Sequence, residues 1–151
     1  MKSKLFAALL IIATFWGVTS IQKQSQDCTN ILVDFGSLDH NTKLVSCVNS
    51  DGKESALSLL SKAGVSIDGT QKYGLQVVCR VNSLPGANRE SCETMPPEDA
   101  YWAVIIKQDD SAISIKKDWN WAQTGISDVY LEPGDSLGLV FIENEEMRWP
   151  D

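Results

Sequence analysis

Apolar positions recur at helical spacing in "SDGKESALSLLSKAG", where Leu57, Leu60 and Ala63 fall three apart and Ala56 and Leu59 widen the stripe. The pattern predicts a helix over residues 53–63, with Asp51 as N-cap, Glu54 three residues on and Gly64 as the stop. Leu57 and Leu60 are expected to face a partner layer, because an amphipathic helix must bury its stripe. Ahead of the helix, "ILVDF" and "KLVSCV" flank the polar "GSLDHNT", which reads as a hairpin turning near Ser37 and Leu38, with His40 solvated in the turn. Beyond it, short apolar runs predict strands: "LQVVCRV", "YWAVIIK", "AISIKK", "DVYL" and "LGLVFIE". "EPGDS" is a turn with Pro133 and Gly134 at its centre.

A hairpin, one helix and a set of later strands make an α+β domain with the helix on one face of a mixed sheet. The order is β-grasp-like. "LGLVFI" is apolar throughout except for Gly138, as a central strand covered on both faces requires. In such a sheet the first and last strands lie side by side, in parallel.

Residues 1–20 change the setting. Lys2 and Lys4 precede an apolar run from Leu5 to Trp16, and "GVTS" supplies small residues for cleavage after Ser20. This is the pattern of a secretory signal peptide, and the run is short of the roughly 20 residues of a membrane span. The expected organisation is a signal peptide at 1–20, a short segment at 21–29, one domain at 30–143 and an acidic, solvated tail at 144–151. A secreted protein, without membrane insertion after cleavage, is expected. The net charge of −7 becomes more negative when Lys2 and Lys4 are removed, which opposes nucleic acid and anionic membrane as partners.

Export gives the four cysteines a meaning. An even number in an oxidising compartment reads as two disulfides, with three connectivities to choose from. Cys28 and Cys47 fall almost opposite each other if the hairpin turns near Ser37, and Cys79 with Cys92 closes a short loop rich in Pro, Gly and Asn. Closing a loop of that size contributes roughly 3 kcal/mol in the chain-entropy account. No C-x-x-C pair suggests zinc, and a catalytic thiolate needs a base nearby, for which His40 is the one histidine and reads as a solvated turn residue.

Several segments resemble the secreted actinobacterial branch of the transcobalamin C-terminal-like β-grasp family. They are the helix ending at Ala63-Gly64, the strand of Val78-Cys79-Arg80, and Cys92 before Pro96-Pro97 and Ala100-Tyr101-Trp102. Trp119 to Trp121 and the closing Pro133-Gly134 complete the pattern, which spans most of residues 30–143. The resemblance implies a non-catalytic binding module, for a corrinoid-like or other flat small ligand supplied to a transporter. In the cobalamin carriers a large helical domain supplies the other half of the site, and this chain carries none.

The aromatic residues are the candidate ligand surface. Trp119 and Trp121 are two apart, so an extended segment points both to one face, and Tyr101 and Trp102 begin a neighbouring strand. Rings of this kind hold flat apolar ligands, and the same rings also complete small cores. No catalytic motif, metal pattern or cofactor loop is present, so the chain reads as not an enzyme and without cofactor. Two other readings are an extracellular module that binds a cell-surface protein and, third, a protease inhibitor presenting the Cys79–Cys92 loop with Arg80, Leu84 or Arg89 in a specificity pocket.

Overall fold

The computed structural model describes residues 28–40, 42–108, 118–144, 147, 149 and 150. The expected signal peptide and the strand "AISIKK" lie outside them. Strands β1 (Cys28–Asp34) and β2 (Lys43–Asn49) form the first hairpin, and β3 (Glu54–Ser55) leads into helix α1 (Ala56–Lys62). Then come β4 (Ile67–Thr70), β5 (Gly74–Val81), β6 (Ala100–Lys107), β7 (Asn120–Trp121), β8 (Tyr130–Leu131) and β9 (Ser136–Glu143).

The main sheet has five strands in the order β2-β1-β9-β6-β7. β1 and β9 are parallel neighbours at its centre, with Leu32 beside Gly138 and Val33 beside Leu139. The α+β, β-grasp-like expectation holds: one helix among the described residues, a mixed sheet and two disulfides. β1 starts at Cys28, so the sheet takes in the end of what reads in sequence as a leading segment. β9 is buried from Ser136 to Ile142. Its alternate residues serve two layers. Leu137, Leu139 and Phe141 join Ile31, Val33, Leu59, Leu60 and Trp102 under the helix, while Val140 and Ile142 pack with Ala103 and Ile105 on the opposite face.

The helix is shorter than its periodicity predicts, and the reason is local. Glu54 and Ser55 pair with Leu131 and Tyr130 as a two-residue ladder, which holds them extended. Ser55, not Asp51, is therefore the N-cap, its hydroxyl accepting from the Ser58 N–H at 3.3 Å. Glu54 is left to accept from the Ser58 hydroxyl and from Lys62 Nζ. The buried stripe is Ala56, Leu59 and Leu60, with Leu57 only half-buried at its margin. The C-terminus closes as a Schellman motif: Val65 N–H reaches Leu60 O at 2.9 Å and Gly64 N–H reaches Ser61 O at 3.0 Å. Gly64 has φ +73°, the left-handed conformation that favours glycine.

Both disulfides connect as the spacing predicts, Cys28 to Cys47 and Cys79 to Cys92. The hairpin register differs by two residues, its turn centred one residue later than expected, since the turn at 36–40 begins with a short 3₁₀ segment. Cys28 stands opposite Asn49 and Cys47 opposite Asn30, so the bridge runs diagonally across the ladder with its Cα atoms 5.5 Å apart.

Candidate functional site

A cleft of about 510 Å³ lies beside β6. Its two long walls are residues 76–78 of β5 and 101–104 of β6, strands that are not paired with each other. Residues 95–98 form one end, and 121–125, which follow β7, form the other. That second segment lies hard against β5. A side chain at Gly125 would put its first carbon 2.6 Å from Gln76 Cα, so only glycine permits the approach. Gln76 fixes the next turn by donating from Nε2 to Ser127 Oγ at 2.8 Å and to Asp128 Oδ2 at 2.6 Å.

The four candidate aromatics separate into different roles. Trp102 is 5% exposed and belongs to the main core, meeting Phe35 and Phe141 edge-on at 5.6 and 5.4 Å, with its Nε1–H donating to Leu84 O at 3.1 Å. Tyr101 points to the other face of the sheet, half-buried against Ala103 and Ile105. Trp121 is 40% exposed, lines the cleft and meets Trp149 edge-on at 5.8 Å. Tyr101, Trp102 and Trp121 thus share the cleft.

Trp119 does not reach it. Its ring packs on the outer cluster, above Gly138 at the centre of the sheet, where an added Cβ would lie 3.2 Å from the indole and 2.6 Å from Ile105. It borders a second hollow of about 430 Å³, floored by Ile31, Leu32 and Ser136 and flanked by Lys43, Val45 and Lys107. Lys107 Nζ sits 5.9 Å from the ring centroid. Trp119 Nε1 is buried with no hydrogen-bond partner among the described residues. The C-terminal residues close over this face: Met147 packs on the outer cluster and Pro150 borders the second hollow.

The Cys79–Cys92 loop is tied down from within. Arg80 donates from Nε to Pro85 O at 3.0 Å and from Nη2 to Glu90 O. Leu84 packs on the main core, and Arg89 pairs with Glu143 and lies over the Phe141 ring. Of the three side chains considered for a protease pocket, Arg80 and Leu84 are engaged inside the fold and Arg89, exposed, is held at the surface by Glu143.

Two carboxylates are perturbed, and neither lines the cleft. Lys62, then Ser58, hold the Glu54 carboxyl below its ordinary range. The Ser37 hydroxyl, with Arg89, does the same for Glu143. Glu98 is the ionisable side chain at the end of the cleft. Among the described residues no group of three His, Cys, Asp or Glu side chains could hold a metal ion, and no helix is long and apolar enough to cross a membrane.

Gln76, Met95 and Gly125 carry no motif of their own and acquire a place in the cleft only when β5, β6 and the segment after β7 come together. Pro96-Pro97 does stand out in sequence, and it forms part of the end wall. Compared with protein-family models, with curated proteins and with solved structures, the chain matches none.

Proposed function

We propose that the chain is a non-catalytic binding module of the extracellular space whose ligand lies in the cleft between β5 and β6. One observation carries this reading: Tyr101, Trp102 and Trp121 meet Met95, Pro96 and Pro97 around one hollow, whose size lies in the range that ligand sites occupy, about 300–1,000 Å³. Rings and proline faces favour a flat or elongated, largely apolar guest. A corrinoid-like ligand is the guest that the family resemblance adds. Two disulfides suit an oxidising compartment, and the signal-like residues 1–20 support export. The inhibitor reading loses support from the intramolecular engagement of Arg80, Leu84 and Arg89.

The test is tryptophan fluorescence of the protein titrated with cobinamide, cobalamin and haem, beside the Trp121→Ser variant. Quenching of the parent and at least tenfold weaker binding by a variant with unchanged circular dichroism are expected. A parent quenched by none of the three would remove the flat-ligand reading. A protein-interaction module is the second reading, favoured by the state of the β6 edge.

A further inference from the structure

We propose that the cleft receives an extended polypeptide segment of a partner protein, which joins the sheet as an added strand on the outer edge of β6. The proposal rests on the reading that this cleft is the binding site, and it names the class of guest.

The argument starts from the main chain. β6 is paired with β9 along its whole length, Ala100 to Lys107, but on its other side β7 covers only Ile105 and Ile106. One further bond, from Ala122 N to Val104 O at 3.0 Å, ends that pairing before the chain departs toward Gln76. In an antiparallel strand, the N–H and C=O of every second residue point to the same side. The Ala122 bond therefore turns the main-chain groups of Val104 outward, and those of Trp102 and Ala100 with them. Ala100 agrees, its N–H donating to Pro97 O at 3.2 Å. The Trp102 N–H and C=O and the Val104 N–H are left facing the cleft without a partner among the described residues.

Recessed main-chain groups are nearly always paired, and exposed strand edges are ordinarily blunted. Here the unpaired stretch lies inside a hollow with Trp121 at one end and Met95 and Pro96 at the other. Main-chain bonds to Trp102 and Val104 would supply affinity, while these apolar ends would receive alternate side chains of the added strand. A flat small molecule could cover the rings but would leave the donors and the acceptor unmet. The outer edge of β2 offers the contrast: Leu44 and Val45 are exposed on it, 40% and 74% respectively, and neither named hollow walls it on the far side. Glu98 in the lining and the net charge of −7 favour a guest with cationic residues between its apolar ones.

The experiment uses a pool of capped hexapeptides in which lysine alternates with valine, isoleucine, leucine or tyrosine, and the same pool with alternate backbone nitrogens methylated. Amide exchange is followed by NMR in the ¹⁵N-labelled protein. The expected result is at least tenfold slower exchange of the Trp102 and Val104 amides with the unmodified pool, and no slowing with the methylated one. Equal binding of the methylated pool would overturn the proposal, since side chains alone would then account for it. Protection confined to β2 would overturn it as well, as would concentration-dependent protection without peptide, which would make the occupant a second copy. Absence of peptide binding while cobinamide or haem still quenches Trp121 would remove the added strand and keep the cleft. Failure of peptides and flat ligands together would remove both.

Discussion

The two faces of the central sheet are closed by different means, and a tryptophan on each shows how. Under the helix, Trp102 is buried among Phe35, Phe141 and the leucines of β9, and its indole N–H is satisfied by Leu84 O. On the other face no helix lies among the described residues. Trp119 covers Gly138 and Ile105, with Met147 beside it, and its buried N–H has no partner among the described residues. A helix brings a whole stripe of side chains and satisfies its own main chain. A lid of single residues brings area without that order, so the helical face should carry more stability per ring, and the outer face should be easier to repack.

The largest effect expected from that contrast is on the helical side. Trp102→Ala should destabilise by about 3–5 kcal/mol, the usual loss for a buried aromatic, measurable as a lowered midpoint in urea. Gly138→Ala tests the lid, because its methyl would meet Ile105 and Trp119. An overpacking cost of about 1–3 kcal/mol is expected, and Trp119→Ala in the same chain should recover part of it if the collision is the cause.

A milder pair sharpens the comparison. Trp102→Phe removes one of the two donors to the Leu84 carbonyl, which keeps the Val81 N–H at 2.9 Å, whereas Trp119→Phe removes a donor that is already unsatisfied. A hydrogen bond contributes about 0.5–1.5 kcal/mol net, so Trp119→Phe should be the less destabilising by a margin of that order. Equal losses would show that ring volume alone governs both faces.

The smallest effect lies at the start of the helix. Lys62 and Ser58 lower the Glu54 pKa, so the folded state favours the ionised carboxylate. Its contribution is present above the unfolded carboxylate pKa and fades as pH falls through the lower, folded value. Glu54→Gln should therefore lower the neutral plateau slightly and flatten the acid limb by the same small amount, because the pair is exposed.

Much of this arrangement could be read from residue patterns, and the failures have physical causes. The apolar run of β9 announced a strand covered on both sides, and the cysteine spacing led to the right bridges. Neither depends on knowing what lies across the sheet. The N-cap moved from Asp51 to Ser55 because a ladder with Tyr130 and Leu131, more than seventy residues away, competes for Glu54 and Ser55. Local capping signals carry no information about that partner. Likewise, the two-residue spacing of Trp119 and Trp121 fixed their separation along the chain, yet Gly138 decides that Trp119 settles over the sheet while Trp121 borders the cleft. Gln76 and Gly125 become neighbours only through tertiary packing, and no local pattern marks them.

The parallel pairing of β1 with β9 also sets an order in time. Asn30 lies beside Ser136 and Asp34 beside Val140, so the middle of the sheet joins segments about a hundred residues apart. A chain made from its N-terminus can close the β1–β2 hairpin and form the helix early, but it has no centre for its sheet until β9 has emerged. Until then Ile31 and Val33 have no β9 residue to pack against, and β6 lacks its main neighbour. Non-local closure of this kind slows folding, so completion of the domain waits until β9 has been made, and a chain stopped before Ser136 would present its apolar strands to solvent.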